Sequence, residues 1–336
     1  MTGIRKQSRA ASQLTRLTWP ALALLLLLLF NAIFTPGFFS FQIRDGHLYG
    51  SLVDVANRGA PILLAGLGMT FVIATAGVDL SVGAVLSMAG ALAAVMLTTT
   101  SVGACGALVA GLLLGVVAGA WNGLLISVFS IQPIVATLVL MVAGRGIAQL
   151  ITGGQIVTFE DPRFAAIGGG HLFGLPVPIL LVAAAYLLTA LLLRLSALRL
   201  FIEALGDNAT AARYAGVPVR QVKWLVYTFC GLCSALAGVI VTADIKAADA
   251  NNAGLYLELD AILAVVIGGT SLNGGRCSLA GTVLGALVIQ TLTTTILTRG
   301  VPVQYMLAVK AFVVLAVCLL QSEPLRAFWV RRRQAA

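Results

Sequence analysis

The sequence predicts an all-α polytopic membrane protein of about ten transmembrane helices, compatible with an inverted repeat of five plus five. Three observations carry that prediction. Sixty per cent of the 336 residues are hydrophobic and only 10% are charged, against roughly 25% charged in an ordinary soluble domain. Apolar stretches near the roughly 20 residues needed to cross about 30 Å of hydrocarbon recur along the whole chain. Lys and Arg concentrate on one set of loops, as the positive-inside rule requires. A mean hydropathy of +1.02 leaves too little polar surface for a water-soluble enzyme, and it excludes a disordered regulator and a secreted disulfide scaffold.

The expected spans fall at about 20–34, 59–77, 82–99, 104–128, 133–151, 176–194, 224–243, 259–272, 279–298 and 303–321. The eighth is short and runs into Gly268, Gly269, Gly274 and Gly275. Basic residues precede Leu24–Leu29, as in a signal peptide, but Asn31-Ala-Ile-Phe-Thr-Pro36 offers no small-x-small cleavage site, so a retained first helix is expected. One transmembrane domain over 1–336 follows, with an N-terminal cytoplasmic segment at 1–19 and a basic tail at 322–336.

Orientation follows from charge. With the N-terminus in the cytoplasm and ten spans, the inner segments hold Arg5, Lys6, Arg9, Arg16, Arg194, Arg199, Arg213, Arg220, Lys223, Arg276, Arg326, Arg331, Arg332 and Arg333. The outer segments hold Arg44, Arg58, Arg145, Arg163, Lys246 and Arg299. With Asp79, Glu203, Asp207 and Glu323 inside and the remaining acids outside, the balance is +10 within and −2 without. The formal charge of +9 therefore reports topology and not nucleic-acid binding. Both termini are expected in the cytoplasm.

Two outer segments, 35–57 and 152–175, are long enough to contact a partner, though capping helix ends explains them equally well. The cytoplasmic loop 197–223 is more informative. Asp207 or Asn208 can cap a helix beginning at Ala209, and Gly216 followed by Pro218 ends it. One helix of about seven residues cannot stand alone in water. It either packs on its own bundle or at the lipid interface, or docks in a groove of a cytoplasmic protein.

Several chemistries are missing. None of Lys6, Lys223, Lys246 and Lys310 is followed by Ser or Thr, so there is no phosphate-binding loop and any ATPase must be another chain. His47 and His171 have no metal-ligand spacing, and Ser127 and Ser130 have no plausible histidine partner. Glu160-Asp161 precedes Pro162 and reads as a turn. Cys230 and Cys233 sit in an apolar helical stretch and read as small buried residues. No metal site and no catalytic residue is expected.

Polar groups at membrane depth mark pathways or contacts. Asp79 joins two apolar runs and, with Ser81, is also suited simply to cap the next helix. Asn122 follows Gly115 and Gly119, which with Gly123 form a ridge for close helix packing, so a neighbouring helix is as good a partner as a substrate. Arg145 lies between two glycines, and Glu258 and Asp260 open the eighth span. Only Lys310 is central, too little for a proton relay.

The whole chain resembles the permease subunits of bacterial ABC importers for sugars, the ribose-, xylose- and branched-chain-amino-acid-like permease family. The resemblance rests on Gly77-Val-Asp-Leu-Ser-Val-Gly83, Trp121-Asn-Gly123, Gln132-Pro-Ile-Val-Ala-Thr137, Glu203–Gly216 and Glu258–Gly275. Arg44–Gly50, Met141–Gly146, Gln155–Phe159 and Ala248–Gly254 look most like the galactofuranose-importing branch. The resemblance implies a bacterial inner-membrane protein that is a transport subunit and not an enzyme, embedded in the lipid bilayer. It implies a cytoplasmic ABC ATPase that binds ATP and Mg, no cofactor on this chain, a second permease chain in a heterodimer, and a periplasmic sugar-binding protein. It further implies that the segment from Glu203 to Gly216 couples to the ATPase, through Glu203, Ala204, Gly206, Asp207, Ala211, Ala212, Arg213 and Gly216. Bulky charged replacements at Gly206 or Ala212 are expected to uncouple hydrolysis from uptake. A neutral sugar needs hydrogen-bonding side chains along its route, for which Asn57, Asp79, Asn122 and Arg145 are the candidates.

Overall fold

The structure, a computed structural model, describes residues 2–44 and 46–321. The expected basic tail at 322–336 lies outside the described residues. The chain runs α1 (Thr2–Phe34), β1 (Gln42–Arg44), β2 (His47–Tyr49), α2 (Ser51–Arg58), α3 (Ala60–Ala74), α4 (Val82–Thr99), α5 (Gly103–Ser127) and α6 (Pro133–Thr152). It continues β3 (Val157–Thr158), α7 (Pro162–Gly169), β4 (His171–Leu172), β5 (Leu175–Pro176), α8 (Val177–Leu195), α9 (Leu198–Asp207) and α10 (Ala209–Tyr214). It closes with α11 (Val219–Ile245), β6 (Ala247–Ala248), α12 (Leu257–Ile267), α13 (Leu279–Thr298) and α14 (Val303–Gln321).

Among the described residues, seven helices are long and apolar enough to cross a membrane, or eight if the bent pair α2–α3 is one span. That pair bends by 45° at Gly59, with Pro61 in the first turn of α3. Counted as one span, the pair begins at Ser51, not near residue 59, and takes in Asn57. The expected eighth span is the eleven-residue α12, about 16 Å long and half a membrane. The backbone of α1 is helical from Thr2 onward, so the expected 1–19 segment continues the first span's helix.

Local sequence explains the remaining ends. Pro133 opens α6 and Gly153, at φ +63°, closes it. Asp161 caps α7 by accepting from the Arg163 and Phe164 amides, with Pro162 at the first helical position, so the Glu160-Asp161 pair is a turn. The segments expected on the outer side are more ordered than loops: β1 pairs with β2, β4 with β5, and β3 with β6 across the chain.

The bundle is built around α11, which packs on α5, α3 and α4, while α12 and α13 pack on each other and on α3. The expected glycine ridge lies at the α5–α11 contact. A side chain on Gly115 would meet the Gly231 carbonyl, and one on Gly119 would meet the Tyr227 carbonyl. Only glycine permits that backbone approach. Cys230 and Cys233 are buried within α11 and unbridged.

One connection enters the bundle. After Lys246 ends α11 in the left-handed region (φ +53°), the chain runs back alongside α4. The Ala250 carbonyl accepts from Ser87 Oγ at 3.2 Å, and Gly254 lies against Gly83, one turn nearer the start of α4. The segment 250–256 is thus a re-entrant stretch that leads into the half-length α12.

Candidate functional site

The 197–223 loop forms two helices where one was expected. Phe201, Ile202 and Leu205 give the residues before Asp207 an apolar face, and Ile202, Leu205 and Gly206 are buried as α9 packs on the bundle. Asn208 then leaves helical geometry and its Oδ1 accepts from the Thr210 and Ala211 amides, both at 3.0 Å. Of the two expected caps it is Asn208 that serves. Gly216, at φ +83°, follows the end of α10.

The eight coupling candidates divide by burial. Asp207, Ala211, Arg213 and Gly216 are exposed. Glu203 and Ala204 are half-buried, and Glu203 Oε1 accepts from Arg199 Nε at 3.0 Å. Gly206 and Ala212 are buried. A side chain at Gly206 would meet the Ala74 carbonyl at the end of α3 and the Gly275 amide, two groups already hydrogen-bonded to each other at 3.0 Å. Substituting Gly206 therefore tests this three-way backbone contact and not a docking surface. Sequence reasoning missed Tyr214, which is 89% exposed at the end of α10; the one aromatic in an alanine-rich turn was its only signal.

The four pathway candidates do not converge on one place. Asp79 (2% exposed) and Asn122 (0%) are joined by Ser81. Asp79 Oδ1 accepts from the Ser81 amide at 2.9 Å and from Ser81 Oγ at 2.6 Å, and Asn122 Nδ2 donates to Ser81 Oγ at 3.0 Å. This geometry holds the α3–α4 turn against α5. Arg145 Nη1 donates to the carbonyls of Ala250 (3.2 Å) and Ala253 (2.6 Å), which fastens the re-entrant segment to α6. Asn57 stands apart on α2, with a buried Oδ1 that has no hydrogen-bond partner.

Two further pairings escaped sequence reasoning because their partners are distant in the chain, and a third, around Asp249, is local. Lys310 Nζ on α14 meets Asp260 Oδ2 on α12 at 2.9 Å. His47 and His171 stack with ring centroids 4.5 Å apart, where the Leu48 amide also donates to the Gly174 carbonyl at 2.9 Å. Asp249 accepts from the Asn252 side chain at 2.8 Å and from the Asn251 and Asn252 amides. The Asn252 side-chain bond is the largest of the influences holding its carboxyl below the ordinary aspartate value.

Residues 51–318 match the family model described as the permease component of branched-chain amino acid transport systems. The chain is 52% identical over 313 residues to the galactofuranose transporter permease protein of Escherichia coli K12, covering 92% of each chain. It is 37% identical to the fructose import permease protein of Bifidobacterium longum, over 92% of this chain and 88% of that one. It is 36% identical to the ribose import permease protein of Escherichia coli K12, over 90% of this chain and 92% of that one. No solved structure matches. A helical bundle apolar enough to span a membrane, matched by that family model over most of its length, belongs to the permease-component family of branched-chain amino acid transport systems.

Proposed function

We propose that this chain is the membrane-spanning permease subunit of an ATP-driven importer, forming the translocation pathway for a monosaccharide such as galactofuranose. The observation that carries this is the 52% identity over 92% of both chains to a galactofuranose transporter permease. The ribose and fructose permeases at 36% and 37% identity keep another sugar as the alternative substrate. The chain is a non-catalytic subunit of one domain, without a cofactor. It works with a cytoplasmic ATPase carrying ATP and Mg, a second and different permease chain, and a periplasmic binding protein that delivers the sugar. It lies in the bacterial inner membrane with both termini in the cytoplasm.

In this reading α10 enters a groove of the ATPase, presenting Tyr214, Arg213 and Ala211, while α9 carries its motion to the ends of α3 and α11. Asp79, Asn122, Arg145 and Asn57 affect the route chiefly by fixing the segments beside it. Ten membrane segments arise when α2–α3 counts once, α12 is a half-span and α14 is the last.

An inverted repeat of α1–α6 and α8–α14 is supported by two features. The contacts of α11 with α4 and α5, and of α4 with α5 and α6, have counterparts in α3 with α12 and α13, and α12 with α13 and α14. After α3 and α11 the chain also repeats a device. A left-handed Ala76 (φ +59°) or Lys246 (φ +53°) is followed three residues on by Asp79 or Asp249, each accepting from the amide two residues further. On this alignment the counterpart of Asp79 is Asp249.

The test is co-expression of the chain with its candidate ATPase, second permease and binding protein, followed by uptake of labelled galactofuranose, ribose and fructose into vesicles. ATP-dependent uptake of galactofuranose is expected; uptake by this chain alone, without an ATPase, overturns the reading. Ala211→Glu or Tyr214→Asp is expected to leave the amount of assembled permease unchanged and to cut uptake at least tenfold while ATP hydrolysis persists, about the effect of losing one interfacial anchor. Normal uptake by both variants removes α10 from the coupling role.

A further inference from the structure

A cleft of about 1030 Å³ opens where the middle of α1, the end of α8, α9 and the start of α13 meet. Its wall carries three guanidinium groups, Arg194, Arg199 and Arg276, against one carboxylate, Glu203. That carboxylate already faces Arg199 at 3.0 Å. Neither Arg194 nor Arg276 forms an ion pair among the described residues. Two exposed cations therefore border one cavity without a protein counter-charge.

The rest of the lining is what an acyl chain requires. Leu17, Leu193, Leu200 and Leu279 flank the arginines. Beyond the cleft, α1 and α8 present exposed leucines, including Leu22 and Leu25 on one and Leu188 and Leu192 on the other. Arg194 lies in the last turn of α8, the depth at which a span passes from hydrocarbon to headgroups. A soluble anion would be served by the arginines alone; a charged cleft continuous with lipid-facing apolar walls fits an amphiphile. Basic pockets between transmembrane helices on the cytoplasmic side take anionic headgroups by this combination of point charge and apolar flank.

We propose that this cleft binds the headgroup of an anionic phospholipid, with Arg194 and Arg276 holding the phosphate and the α1 and α8 leucines receiving the acyl chains. The lipid comes from the inner leaflet, an assignment that rests on the orientation proposed above. Seated there, it bridges the end of α8 to the start of α13 and braces α9 through Arg199, immediately beside the coupling loop.

The test is native mass spectrometry of the full chain, purified with its accompanying subunits in non-ionic detergent and titrated with phosphatidylglycerol, phosphatidylcholine or inorganic phosphate. The wild-type chain is expected to retain phosphatidylglycerol in preference to phosphatidylcholine. Arg194→Gln with Arg276→Gln should lower that affinity roughly thirtyfold, the loss of two headgroup charges. Arg194→Lys with Arg276→Lys should retain most of it. Thermal unfolding in phosphatidylcholine alone checks that the glutamine variant folds; if it does not, the lysine variant against an Arg276→Gln single variant makes the same comparison. Equal retention of the two lipids, or undiminished phosphatidylglycerol binding by the glutamine variant, overturns the proposal. So does displacement by equimolar inorganic phosphate, which would make the cleft a free-anion site, or displacement by the ATPase subunit, which would make it a protein interface. None of these outcomes bears on which sugar is carried, so the lipid site and the transport reading fail separately.

Discussion

Lys310 and Asp260 meet at 2.9 Å on helices fifty residues apart in sequence, and Lys310 is only 8% exposed. A buried pair of this kind recovers its desolvation cost only while both members remain. Lys310→Ala is therefore expected to destabilise the chain by roughly 3 kcal/mol, because it strands the Asp260 carboxylate among apolar residues. Lys310→Met with Asp260→Leu should return to within about 1 kcal/mol of wild type. Thermal unfolding of wild type, Lys310→Met, Asp260→Leu and the double variant in one detergent measures the cycle; additive losses would show that the pair does not interact.

Asp249 gives a different expectation at the same scale. Its carboxyl is held below the ordinary value by the Asn252 side chain first, with the Asn252 and Asn251 amides and nearby Arg145 acting in the same direction. The folded value lies below the unfolded one, so the stabilisation is present above the unfolded value near pH 4 and is lost as pH falls through the folded value. Amide exchange at Asn251 and Asn252, corrected for its intrinsic pH dependence, should lose protection as pH falls below about 4 and through the folded value. Asp249→Ala should lack that protection throughout the range. Wild-type exchange indistinguishable from that of Asp249→Ala at about pH 6 would rule the carboxylate out as the fastener.

At the scale of elements, the molecule depends on glycines facing backbone. The α5–α11 contact places Gly115 against Gly231 so closely that either Cβ would strike the partner's carbonyl or Cα region. Gly231→Leu is expected to cost about 3 kcal/mol by overpacking and to reduce the folded yield in detergent. Gly216→Ala, at a position with open space around it but φ +83°, should cost only about 1 kcal/mol of backbone strain and leave the yield nearly intact. Size-exclusion profiles compare the two, and equal behaviour would mean that close packing is not what glycine provides at Gly231. The same distinction separates Gly206 from Tyr214 in the 197–223 loop. One is a packing position and the other a surface position, although both lie in one stretch of sequence.

For the whole molecule the decisive matter is which face looks inward. Phe173 is 92% exposed in the β4–β5 hairpin and Tyr214 is 89% exposed at the end of α10. In a background with Cys105→Ser, Phe173→Cys should react in intact cells with a thiol reagent that does not cross membranes, and Tyr214→Cys should react only after permeabilisation. The reverse labelling would invert the topology and remove α10 from the side where ATP is found. The re-entrant 250–256 segment and the bent α2–α3 pair matter at this scale too. Irregular backbone at membrane depth survives where it is buried in protein or lines a cavity. Here Ser87 and Arg145 supply donors to its carbonyls.

The sequence by itself determined the class, most of the span positions and the breakers around the 197–223 loop. These follow from composition and local periodicity, because hydrocarbon imposes length and hydropathy on each span separately. Asn208, Gly216 and the Asp161-Pro162 turn were legible for the same reason: a cap is satisfied by amides two or three residues away. What only the tertiary structure decided are the relations between distant residues. It joined Asp79 to Asn122 through Ser81, turned Arg145 toward the Ala250 and Ala253 carbonyls, and paired Lys310 with Asp260. It reduced the eighth span to a half-length helix, and it buried Gly206 while exposing Tyr214. A polar side chain in an apolar run must find a partner, and hydropathy gives notice of that need; the partner's identity depends on which helices lie side by side, and one chain's local pattern does not encode that.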